Sequence, residues 1–195
     1  GYVFLFWTEN GFRNIASKFP IRTPADMKGK KFRSQEQANY IETYKAFGAT
    51  PVPIAVPEVL GALQTDVVTG FDQTRLYTFA TSWYTSIKHY TITEHIYQPG
   101  WIIASKKLYD SYPKKLKEII DGDWRYLQKY RKNVRALNPT LQANLIKAGV
   151  NVIVLSPEEK KKFQSLVQPV YDDFYKTASP LAKKLLRKVQ KHINK

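Results

Sequence analysis

KGKKFRSQEQANYIETYKAFGATPVPIAVPEVLGALQTDVVTGFDQT, residues 28–74, is the stretch from which the architecture follows. KKFRS reads as a strand leaving a turn at Gly29. Over Gln37–Phe47, Ile41, Tyr44, Lys45 and Phe47 recur at helical spacing, and Gly48 closes that helix. TPVPIA is a short strand with two prolines, which places it at an edge or an end. Pro57 opens a second helix, PEVLGALQTD, with Val59, Leu60, Ala62 and Leu63 on one face. VVTGFDQT is a strand expected to break at Gly70. Strands alternating with helices in this way indicate an α/β fold with a mainly parallel sheet.

Upstream, YVFLFW at 2–7 reads as a buried strand and ENGFRN as a turn around Gly11. Thr23 is a plausible cap and Pro24 suits a first helical position. Downstream, residues 76–90 are aromatic-rich and helical at first. YTITEHIY and GWIIAS are two strands parted by Pro99-Gly100. Ser105 caps a short helix, and Pro113 begins a long one that runs to about Leu137, where Asn138-Pro139 stops it. LQANLIKAGVNVIVLS is helix, Gly149 cap, strand. Ser156-Pro157-Glu158-Glu159 is a strong helix start, and a final helix follows Ser179-Pro180.

With 195 residues, the chain can form one good core or two small lobes. Its 43% apolar and 14% aromatic content excludes a disordered tail. No apolar run reaches the ~18 residues of a membrane span. Without cysteine there are no disulfides, thiolate metal sites or Cys nucleophiles, which suits cytoplasm and periplasm alike.

Lys+Arg number 31 against 16 Asp+Glu, a net charge of +15, so nucleic acid is the first class to weigh. Lys28, Lys30, Lys31 and Arg33 fall within six residues. PKKLKEIIDGDWRYLQKYRKNVR mixes eight basic residues with three acids, as a solvated helix face does. LAKKLLRKVQKHINK places Leu181, Leu185, Leu186, Val189 and Ile193 near helical spacing without an acid. It can serve a membrane surface or a partner, although an amphipathic helix docked on its own domain is the expectation. The aromatics lie in apolar segments, and no RNP, helix-turn-helix or zinc signature accompanies the charge.

Catalytic and cofactor patterns are absent. No GxGxxG or Walker loop occurs. His89 and His95 lie without a Cys or a carboxylate pair, which argues against a metal, and His95 reads as a half-buried strand residue. Asp72, Glu58 and Glu94 form no acid/base pair by spacing. The expectation is a protein that is not an enzyme and needs no cofactor.

NGFRNI, PIRTPADMKGKKFR, AFGATPVPIAVPEVLGALQTDVVTGFDQ, YTITEHIY and ASKKLYDSYPKKL stand in an order and spacing that closely resemble the substrate-binding proteins of tripartite ATP-independent periplasmic (TRAP) transporters. The resemblance spans essentially all of residues 2–195. It implies a two-lobed, periplasmic-binding-protein-like α/β architecture that closes on a carboxylate-bearing solute. The implied partners are a small organic-acid anion and the TRAP permease subunits, with no nucleic acid and no membrane insertion; the implied location is the bacterial periplasm. An arginine in the segment matching GKKFR clamps the carboxylate, which points to Arg33, and one in NGFR assists, which points to Arg13. A guanidinium offers a planar fork that binds a carboxylate bidentately, and lysine cannot copy it.

Three departures bear on the site. The family's DGQENP motif stands here as TGFDQT, so Gln73 takes the place of a ligand-contacting asparagine and Asp72 that of a glutamate. Pro57 and Leu60 replace the serine and tyrosine of a motif read SEVY, which reshapes a wall near Val56 and Glu58. The family also has an upstream segment that builds most of its first lobe. The expected lobe assignment is therefore 1–9 first-lobe or hinge strand, 10–98 second lobe, 99–138 first-lobe or hinge, and 139–195 second lobe, the second nearly complete and the first partial. A secretory leader and further α/β units are expected before Gly1.

Overall fold

The computed structural model describes residues 1–193, the side chain of Ile193 excepted; Ile193's place in the expected apolar stripe and the tail residues 194–195 lie outside the described residues. The chain packs as two units, residues 1–20 with 72–154 and residues 21–71 with 155–195. The expected segments 10–98 and 139–195 are each divided between them.

The second unit (21–71, 155–195) holds β2 (Lys31–Ser34), α1 (Ala38–Ala46), β3 (Thr50–Pro53), α2 (Val59–Gln64) and the start of β4 (Gly70–Gln73). The strands order as β3-β2-β4 and all pair in parallel. Proline-bearing β3 takes the outer position because its two prolines have no N–H to give a second neighbour. Gly70 opens β4 rather than breaking it, buried and paired with Phe32 of β2. Phe32 stacks on Tyr44 at 5.5 Å, and Phe47 meets Phe163 edge-on at 5.1 Å. Such pairs add about 0.5–1.5 kcal/mol beyond their area. Phe163 belongs to α8 (Pro157–Gln164), whose start is a capping box: Glu159 N donates to Ser156 Oγ at 3.2 Å, and Ser156 N donates to Glu159 Oε2 at 2.8 Å. Helices α9 (Gln168–Thr177) and α10 (Pro180–Ile193) follow. Leu181, Leu185 and Val189 of α10 are exposed, so the apolar stripe is not docked on its own domain as expected. The helix instead turns Leu186 and Gln190 inward, and Tyr175 Oη of α9 donates to Gln190 Oε1 at 2.8 Å.

The first unit (1–20, 72–154) is built on two long antiparallel strands, β1 (Tyr2–Ser17) and β5 (His89–Ser105), with β6 (Asn151–Val154) parallel to β5. The mainly parallel sheet expected from the sequence is thus mixed. Neither turn expected here interrupts a strand. Asn10 is the extra residue of a bulge between Glu9 and Gly11, and Gly11 beside it takes φ +99°. Pro99 pairs with Glu9 at that same irregularity, where a missing N–H costs no regular ladder bond. Gly100 faces Thr8, whose Oγ1 occupies the space a Cβ would need. Nor is 2–7 a buried strand: Tyr2, Phe4 and Trp7 are 76%, 48% and 52% exposed, on a stretch whose alternation is broken by a register shift between Phe4 and Phe6.

Around the ribbon lie α3 (Arg75–Ala80), α4 (Lys106–Ser111), α5 (Lys114–Asp121), α6 (Trp124–Ala136) and α7 (Asn138–Lys147). The single long helix expected after Pro113 is two. Gly122 at φ +74° ends α5, and the Asp123 side chain accepts Arg125 N at 2.8 Å to start α6. The second of them, α6, ends at Ala136, close to the expected Leu137, and Asn138-Pro139 opens α7, since proline needs no donor in a first turn. Buried Glu9 ties α6 to β1, accepting from Arg135 Nε at 2.9 Å and Tyr97 Oη at 3.0 Å. Ile15, Trp83, Tyr90, Leu145 and Ile153 form the core of this unit.

Candidate functional site

In the second unit, KGKKFR divides by burial. Lys28, Lys30 and Lys31 are exposed, while Phe32 is fully buried and Arg33 is 2% exposed. Arg33 lies near the C-terminal end of β2, between Val52 of β3 and Phe71 of β4. Carboxyl ends of parallel strands are where open α/β sheets hold ligands. Arg33 Nε donates to Ile54 O at 2.9 Å, which fixes the plane of the guanidinium. Ile54 in turn donates its N–H to Ser34 O at 3.3 Å. The chain then turns through Val56–Glu58, leaving Val56 and Glu58 exposed two and four residues beyond the carbonyl that holds Arg33.

The first unit brings Arg13, Asp72 and Gln73 together. Arg13 and Asp72 are 0% and 1% exposed. Arg13 Nε donates to Asp72 Oδ2. Its Nη2 donates to Asp72 Oδ1 at 2.9 Å and to Asp72 O at 2.5 Å. Its Nη1 donates to Gln98 Oε1 at 2.5 Å and Gln73 Oε1 at 3.4 Å. A guanidinium has five N–H bonds, so each has an acceptor inside the protein. Burial alone would raise the Asp72 pKa; the Arg13 charge and hydrogen bonds outweigh it and hold the carboxyl far below the usual range.

His95, whose Nε2 lies 3.4 Å from Asp72 Oδ2, completes the cluster, and Thr93 Oγ1 meets His95 Nδ1 at 2.7 Å. A wide bulge sets His95 there: two steps along β1, Arg13 to Ile15, stand opposite five along β5, Ile96 to Thr91. Bulges of this kind re-aim side chains. Gln73 is held at both ends of its residue. Its carbonyl accepts Tyr90 Oη at 2.9 Å, and its side-chain Oε1 accepts Thr74 N at 2.9 Å. Asn14 Nδ2 donates to Tyr90 Oη at 3.3 Å, and burial pushes the Tyr90 phenol above its ordinary pKa. Gln98, Tyr90, Asn14 and Thr93 were not singled out from the sequence. The only signal was the period-2 run Thr91, Thr93, His95 on one strand.

Among the described residues no group of three or more His, Cys, Asp or Glu could hold a metal ion. No described helix is long and apolar enough to cross a membrane.

Residues 1–178 match the family of bacterial extracellular solute-binding proteins, family 7 (DctP). The chain belongs to this family. A solute-binding protein of Verminephrobacter eiseniae is 31% identical over 97% of this chain and 57% of its own length. A TRAP periplasmic solute binding protein of Sulfurospirillum deleyianum, solved with bound succinate, is 28% identical and superposes with a TM-score of 0.86 over 97% of this chain and 63% of that one. One from Xanthobacter autotrophicus, with bound β-D-galacturonate, is 27% identical, with a TM-score of 0.83 over 97% and 62%. The chain therefore spans about 60% of the length of these relatives. The family consists of solute-binding transport proteins that are not enzymes, and it has the two-lobed α/β fold.

Proposed function

We propose that this chain is the solute-holding part of a periplasmic receptor that binds a small carboxylate-bearing acid and delivers it to a TRAP-type permease. Arg33 is the hook. The observation behind this reading is a nearly buried guanidinium, held in plane by Ile54 O, at the carboxyl end of a parallel strand in a member of this family. Relatives with bound succinate and galacturonate support an organic acid as the solute. Val56 and Glu58 form a wall on the Arg33 side. Gln73, whose Oε1 is occupied, offers a solute its amide N–H instead. Arg13 and Asp72 act by holding Gln73 in place, not by touching the solute. The exposed lysines of 28–31 are a solvated turn.

A thermal-shift screen of dicarboxylates, sugar acids and keto acids on protein purified from its native source tests this. A ligand at one hundred times its dissociation constant stabilises by about 2.7 kcal/mol, and a protein this size gains about 2–4 °C for each of these. The binding should change little with salt. Salt-steep binding to DNA or anionic vesicles, with no response to any acid, would overturn the reading in favour of a basic interaction module.

A further inference from the structure

A groove about 480 Å³ in volume lies in the first unit beside α3 and α7. Its wall carries Arg75, the first residue of α3, whose side chain is 9% exposed. Arg75 Nε is a buried donor with no hydrogen-bond partner. The Glu94 carboxylate stands 3.9 Å from Nη2, an ion pair too long to be a hydrogen bond. A desolvated guanidinium with an unmet donor is costly and calls for an acceptor. Glu94 itself sits in the wide β5 bulge at φ +51°, a conformation non-glycine residues seldom adopt. Its N–H is held there by Asn14 Oδ1 at 3.1 Å. Strain and an orphaned donor thus coincide at one groove, a pairing that marks built sites.

We propose that this groove binds a small zwitterion, an α-amino acid or a close analogue, with its carboxylate on Arg75 and its ammonium on Glu94. A lone carboxylate on Arg75 would meet the repulsion of Glu94, and a lone ammonium on Glu94 would meet that of Arg75. A molecule carrying both charges a few atoms apart satisfies each. The Asn138 and Gln142 amides on the rim supply neutral hydrogen bonds, and Pro139 and Ile146 give an apolar floor for a short side chain. None of these side chains belongs to the Arg33 or Arg13 clusters.

The test is NMR observation of arginine Nε–Hε signals, with the Arg75 signal assigned by its loss in Arg75→Lys. Glycine and L-alanine should shift it saturably, at concentrations at least tenfold lower than acetate or methylammonium. Ala143→Trp fills the groove from an exposed helix position and leaves the Arg75 and Glu94 side chains themselves unchanged; it should abolish the response to amino acids while leaving the melting temperature in place. Arg33→Lys should leave the response intact. A response equal for acetate and glycine, one that survives Ala143→Trp, or no saturable shift with either amino acid would overturn the proposal.

Discussion

Asp72→Asn removes the charge that two of the five Arg13 N–H bonds address, Nε to Oδ2 and Nη2 to Oδ1, and leaves the Nη2 bond to the Asp72 backbone carbonyl in place. Asparagine keeps one side-chain acceptor and turns an NH2 toward a guanidinium donor, whichever way the amide lies. With both partners 0–1% exposed, solvent cannot replace the lost acceptor. Stranding a buried charge costs about 3–5 kcal/mol. For a chain of this size that lowers Tm by about 6–20 °C. Arg13→Met should cost a similar amount. The double variant Arg13→Met/Asp72→Leu should recover most of the loss, because a buried pair replaced by packed apolar groups is often neutral. Urea unfolding of all four forms at pH 7 measures this. The pH dependence has a definite sign. Asp72 is depressed in the folded state, so its contribution is present above the ordinary carboxylate pKa of about 4 and is lost only as pH falls toward the depressed value. Wild type and Asp72→Asn should therefore converge in strong acid. Additive single losses, or a loss below about 1 kcal/mol for Asp72→Asn, would refute the charge-pair account.

Other outcomes follow from the same geometry. Ser156→Ala should cost about 1 kcal/mol by removing the α8 capping bond, read by urea unfolding. Gly100→Ala should cost about 1–3 kcal/mol through its collision with Thr8, and Thr8→Ala should restore most of it, which thermal melts would show. Glu9→Gln should loosen α6 from β1 and cost about 1–2 kcal/mol, discounted because Arg135 is 57% exposed; faster amide exchange confined to α6 would confirm where the loss falls.

The elements legible in the sequence are those set by local chemistry. Helix α1 with Gly48, the proline-bearing β3 and the Ser156 box all announce themselves within a few residues. Gly11 and Pro99-Gly100 misled because turn residues carry the same letters as a bulge, and only cross-strand register tells the two apart. The break at Gly122 was masked by helical spacing continuing on both sides of it. At the candidate site, Arg33 was singled out by its motif, and its burial on β2 was not legible from the basic run around it. The partner of Arg13 was not legible, since Asp72 lies 59 residues away and only the fold sets it against the guanidinium. His95 was read as a half-buried strand residue; its meeting with Asp72 depends on the wide bulge in β5, which no local pattern encodes.

The measurement that bears most directly on the central claim is calorimetric titration of an organic acid found by the thermal screen, into wild type, Arg33→Lys and Lys31→Ala. Net charge is unchanged in the lysine variant, so what is removed is the bidentate fork together with the Nε bond to Ile54 O that orients it. Arg33→Lys should weaken binding by about 2–5 kcal/mol, and Lys31→Ala, an exposed residue, by less than about 0.5 kcal/mol. Equal losses at the two positions, or full affinity in Arg33→Lys, would contradict the assignment of Arg33 as the carboxylate hook.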